Sequence, residues 1–145
     1  MGKTDTSRAK TRYQLDRQIG FILRRVTQRH LSIFGSLIAE LTPTQFAALA
    51  KLHEVGPLSQ NALGRLIAMD AATIKGVVDR LVVRGLLKTA RDPDDRRRTI
   101  IALSDTGREV FLAVESKAAD ISAETLAPLD PAERVVLLGL LERLV

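Results

Sequence analysis

Three consecutive arginines, Arg96, Arg97 and Arg98, sit inside the segment RDPDDRRRTIIALS at residues 91–104. The residues before them have turn composition, and TIIAL after them is β-branched and apolar, which predicts a hairpin with a guanidinium-rich tip. Guanidiniums on a thin projection suit the neutralisation of phosphate. A duplex carries one phosphate charge per ~1.7 Å of axis, and its minor groove, ~6 Å wide, draws arginine into a negative slot. Successive strand residues face opposite sides, so Arg97 is expected to point away from Arg96 and Arg98. Asp95 stands two residues before Arg97, where a carboxylate can hold the guanidinium fork and reduce the entropy lost on insertion. Asp92 and Asp94 are ordinary turn formers. Taken alone, the tip also fits a solvated loop whose surface ion pairs contribute little.

A second set of candidates lies in DAATIKGVVDRLVVRG, residues 70–85. Ile74, Val77, Val78, Leu81 and Val82 form an apolar stripe. Ala71, Ala72, Thr73, Lys75 and Gly76 are left outward at the N-terminal end, with Asp79 and Arg80 beyond. Small residues let a backbone approach base edges. A Thr73 methyl or an alanine can touch a thymine methyl, and Lys75 can reach guanine or phosphate. Arg80 and Arg84 suit backbone contacts, as do Ser59, Gln60 and Asn61 at the start of the preceding helix. Each residue alone is ordinary solvated surface. The constellation carries the reading.

These residues need elements to position them. From Tyr13 to Leu37 apolar residues recur in steps of three and four, predicting one long amphipathic helix. Thr42, Pro43 and Gln45 open a second as cap, first helical residue and capping-box partner, and Gly56-Pro57 ends it. Ser59 caps a third helix with Leu63, Leu66 and Ile67 inward, and Asp70 caps a fourth that Gly85 closes. That pair is helix-turn-helix grammar. LLKTA and TIIAL make the hairpin, Ser104 caps a helix to about Thr125, and a last helix runs from Pro131 to the end. The expected fold is mainly α with a small β-hairpin wing (α+β). Residues 1–12 read as a flexible basic arm, 13–40 and 105–145 as flanking helices, and 41–104 as the winged helix-turn-helix.

Composition narrows the chemistry. Net charge is +5, but residues 1–104 carry 18 bases against nine acids, whereas 105–145 carry four against eight. One side is set to face a polyanion. The absence of cysteine excludes disulfides, thiolate ligation and thiol catalysis, and two histidines make a metal site improbable. No metal or cofactor is expected. No Gly-rich phosphate loop or nucleophile–base pair stands at a motif spacing, so no enzyme is expected. The N-terminus has no apolar core of a secretory signal, and no apolar run approaches the ~18 residues of a membrane span, so a cytoplasmic protein without membrane contact is expected.

The run from LTPTQFAALAKL through the Asp95-x-Arg97 wing to Leu103-Ser104-x-x-Gly107 resembles the MarR family of winged-helix regulators, over roughly residues 15–145. Ser104 stands where the family more usually has threonine. The resemblance implies a homodimer on a pseudo-palindromic double-stranded DNA operator, usually as a repressor. Residues 70–84 would be the recognition helix, Arg97 the minor-groove residue braced by Asp95, and the first and last helices the dimer interface. The residues support the last point separately, because ERVVLLGLLERLV is apolar on more than one stripe and needs something to cover it. The family implies release by a small molecule, often an aromatic acid. Tyr13, Arg17, His30, Phe34, Phe46 and His53 are candidates to pair with its carboxylate or stack on its ring. His30 also fits an interfacial histidine. The competing reading is a winged helix for protein docking or passive DNA architecture, without a ligand response.

Overall fold

The computed structural model describes residues 12–145, so the expected basic arm, apart from Arg12, lies outside the described residues. A short 3-10 turn at Leu15–Arg17 precedes α1 (Ile19–Leu37). Then come α2 (Pro43–Val55), β1 (Leu58–Ser59), α3 (Gln60–Leu66), α4 (Ala71–Val83), β2 (Leu87–Arg91), β3 (Thr99–Leu103), α5 (Asp105–Thr125) and α6 (Pro131–Glu142). The expected mainly helical architecture with a small wing is present.

The caps explain the boundaries. Thr42 Oγ1 accepts from Gln45 N–H while Gln45 Oε1 accepts from Thr42 N–H, a reciprocal box that starts α2. Ser59, Asp70, Ser104 and Asp130 accept from backbone N–H groups at the starts of α3, α4, α5 and α6. Gly85, at φ 75°, closes α4, with Leu86 N–H bonded back to Leu81 O.

The structure corrects the sequence reading in four places. The single helix from Tyr13 is broken at Gln18, which is extended at φ −85°, ψ 135°. Apolar periodicity continues across the break and therefore conceals it. The wing is three-stranded, ordered β1-β3-β2, because Leu58 and Ser59 pair with Ile101 and Ile100. Two residues before a cap carry too little pattern to read as a strand. Leu66 and Val82, expected inward, are 53% and 37% exposed. Leu66 ends a seven-residue helix whose period stops there, and Val82 is a ~100° step round from the buried Leu81. Finally, the tip arginines belong to neither strand: β2 ends at Arg91 and β3 starts at Thr99. Strand alternation therefore does not separate Arg97 from Arg98.

The core lies where the C-terminal end of α1, helices α2 to α5 and the sheet meet, with Leu49, Leu63, Ile74, Leu81 and Ile101 fully buried. Gly107 in α5 permits the tightest approach: a Cβ there would lie 1.9 Å from Leu86 O. The ends of the chain differ. α6 buries no residue, and the N-terminal half of the α1 stripe, from Ile19 to Val26, is exposed.

Candidate nucleic-acid interface

The helix-turn-helix is built from α3 and α4. Met69 N–H reaches back to Gly64 O and Ala68 N–H to Arg65 O, closing α3 with Ala68 in the left-handed region at φ 57°. A Cβ on Gly64 would meet Ile74 Cγ2 and Met69 O at 3.1 Å, so glycine lets the two helices close on each other. Asp70 Oδ1 then accepts from Thr73 N–H at 2.7 Å, and this bond holds the Asp70 carboxyl below its usual range.

Ala71, Ala72, Thr73, Lys75 and Arg80 are exposed on the outer face of α4, and Gly76 is half-buried. Sequence reasoning missed a link on this face: Lys75 Nζ pairs with Asp79 Oδ2 at 2.7 Å. Its signal was the i, i+4 spacing. Arg84 Nη1 donates to Gln45 Oε1 at 3.2 Å, which ties the end of α4 to the capping box of α2.

At the wing, Asp95 Oδ1 accepts from Arg97 N–H at 3.1 Å and faces Arg97 Nε at 3.4 Å. Arg98 N–H bonded to Asp95 O turns the tip back on itself. Ser59, Gln60 and Asn61 meet Arg97 and Arg98 around a hollow of about 190 Å³, also lined by Arg65 and Thr99. Arg96 is exposed and outside it. Thus residues some 35 positions apart form one basic wall. Arg65 and Thr99 carried no motif signal. The pairing of β1 with β3 brings the start of α3 to the wing.

The sequence profile of the MarR family matches residues 41–99. Across nearly the whole chain, NicR of Pseudomonas putida, an HTH-type transcriptional repressor, is 38% identical over 137 residues, covering 93% of this chain and 87% of NicR. The chain belongs to the MarR family. A probable transcriptional regulator from Pseudomonas aeruginosa superposes with TM-score 0.89 at 53% identity, covering 91% of this chain and all of that one. BpsR of Bordetella bronchiseptica, whose DNA binding is regulated by 6-hydroxynicotinic acid, superposes with TM-score 0.88 at 37% identity, covering 91% of this chain and 96% of BpsR. Like its MarR-family relatives, the protein is a DNA-binding transcriptional regulator, which favours that reading over a docking module. No described helix is long and apolar enough to cross a membrane, and no cluster of three or more potential metal ligands occurs among the described residues.

The six effector candidates of this MarR-family chain fall into three places. Tyr13 and Arg17 line an open hollow of about 300 Å³ with Arg12, Gln14 and Gln18. Phe34, Phe46 and His53 join Phe111 in an aromatic group, with ring centroids 6.1 Å apart for Phe34–Phe46, 5.8 Å for Phe46–Phe111 and 4.7 Å for His53–Phe111. His30 Nδ1 lies 2.9 Å from Thr125 Oγ1, whose own proton goes to Ile121 O. His30 Nδ1 is therefore the donor. Beside it, Arg29 donates to the carbonyls of Glu124 and Thr125, so α1 caps the C-terminus of α5.

Proposed function

We propose that the protein is a homodimeric, cytoplasmic repressor without catalytic activity that leaves its operator when an aromatic carboxylate binds. The observation that carries the DNA part is the basic wall joining α3 to a tip on which Asp95 orients Arg97. In each subunit α4 would enter the major groove, with Ala71, Ala72, Thr73, Lys75 and Gly76 nearest the bases. Arg97 would enter the neighbouring minor groove. Arg80, Arg84, Arg96 and Arg98 would hold phosphates together with Ser59, Gln60 and Asn61. Two such units require a paired site, with half-sites about 34–36 Å apart or a multiple of that.

The exposed apolar residues of α6 and the first half of α1 support dimerisation through the end helices, residues 13–40 and 105–145. Likeness to BpsR, whose DNA binding 6-hydroxynicotinic acid regulates, supports an effector of the hydroxylated N-heteroaromatic acid class. Arg17 would pair with its carboxylate and Tyr13 would stack on its ring, a reading supported by both residues lining one hollow. The other four candidates serve the fold in this reading: their rings and His30 already have partners inside the chain.

The test is fluorescence anisotropy on a duplex from the protein's own promoter region, titrated with 6-hydroxynicotinic acid, nicotinic acid and hydroxybenzoates. Tight, salt-sensitive binding reversed by one of these acids is expected. Binding that no aromatic acid reverses would remove the effector part. Failure to bind any duplex at low salt would remove the whole reading.

A further inference from the structure

A duplex presents its major and minor grooves on either side of a sugar–phosphate strand. Any protein that puts a helix in one groove and a hairpin in the next must straddle that strand. In this chain the ground between the two is occupied by two residues of α3. Asn61 and Arg65 line the hollow on the wing side, with Arg97 and Arg98. They also line a second hollow, of about 370 Å³, on the side of the α4 N-terminus, with Asp70 and Ala71. Among the described residues, no other lines both.

We propose that Arg65, with Asn61 beside it, is the seat of the phosphodiester strand that runs between the two engaged grooves. This rests on the DNA-binding mode set out above. Three arginines, Arg65, Arg97 and Arg98, line the wing-side hollow, and among the described residues no acid lines it. Among the described residues, the Arg65 and Arg98 side chains take part in none of the ion pairs, whereas Arg97 is paired with Asp95. Arg65 and Arg98, like charges without a counter-charge of their own beside the Asp95-braced Arg97, favour an incoming anion, and a planar guanidinium can hold two phosphate oxygens at once. The Asn61 amide offers two further donors on the same ridge. The contact carries no base information, so Arg65 is a positioning residue: it sets how α4 and the wing sit in their grooves.

The experiment compares wild type with Arg65→Ala and Arg65→Lys, full-length and checked for unchanged melting temperature and dimer mass. Arg65→Ala is expected to weaken operator and unrelated duplex by a similar several-fold factor. It should lower the slope of log affinity against log salt by about 0.9 for each subunit's lost contact, with partial recovery in Arg65→Lys. A scan of neutral methylphosphonate links along the operator then locates the contact. One link per half-site, flanked by the two engaged grooves, should weaken wild type but not Arg65→Ala. If wild type binds DNA and Arg65→Ala keeps its affinity and salt slope, the seat is refuted while the wider reading stands. Equal sensitivity of both proteins at every link also refutes it. So does an Arg65→Ala effect confined to inorganic phosphate binding, with DNA unaffected. If wild type itself ignores duplex DNA, both readings fall together.

Discussion

The carboxylate of Asp95 holds Arg97 twice, at the backbone N–H and at Nε, while the Arg97 side chain stays 93% exposed. A surface pair of this kind contributes little to stability. Its value lies in pre-orienting the guanidinium. Asp95→Ala is therefore expected to weaken operator binding although it removes a negative charge from the tip proposed to face DNA. Electrostatics alone demands the opposite sign. Anisotropy at two salt concentrations decides between them, and in an Arg97→Ala background the same change should lose its penalty.

Gly107 faces Leu86 O across the joint between the wing and α5. The same joint is tied by Ser104, which accepts from Gly107 N–H, donates to Gly85 O and bonds Leu86 O through its own N–H. A methyl group at 107 must push the backbones apart. Gly107→Ala should cost at least ~1–3 kcal/mol, seen as a lowered melting temperature by circular dichroism.

Ala68 holds a left-handed conformation in the turn of the helix-turn-helix. That conformation costs an L-residue roughly 1–2 kcal/mol, of which glycine's extra chain entropy returns about 0.5–1. Ala68→Gly should stabilise the protein by up to ~1 kcal/mol in urea unfolding, with operator affinity unchanged or improved.

Val136 and Leu140 on α6 are 60% and 52% exposed within their own chain. Replacing both with Glu should leave the chain folded but monomeric by light scattering, because neither supports the core of the subunit. A dimer of unchanged mass would move the interface away from α6.

Asp70 caps α4, and the Thr73 N–H bond lowers its carboxyl below the ordinary 3.8. A carboxyl lowered on folding adds stability above its unfolded value and loses it as pH falls through the lowered one. The cap should thus survive mild acid. The Thr73 amide signal should titrate with a midpoint under 3.8, and Asp70→Asn should abolish that titration.

The sequence by itself determined the six helices, the two hairpin strands and their order. Caps such as Thr42, Asp70 and Ser104, the Gly85 stop and the stripe Ile74–Val77–Val78–Leu81 act within one helical turn or one period, so their physics is local and legible. It also supplied the chemistry of the tip, since Asp95 and Arg97 are near neighbours in the chain. The tertiary structure alone decided what those elements meet. β1 exists only because β3 offers it a partner, and through that pairing Arg65 comes to stand between the wing and α4. Arg29 and His30 reach the end of α5 across 95 or more residues of sequence. Such contacts depend on the packing of elements distant in the chain, where no periodicity of either partner records the other.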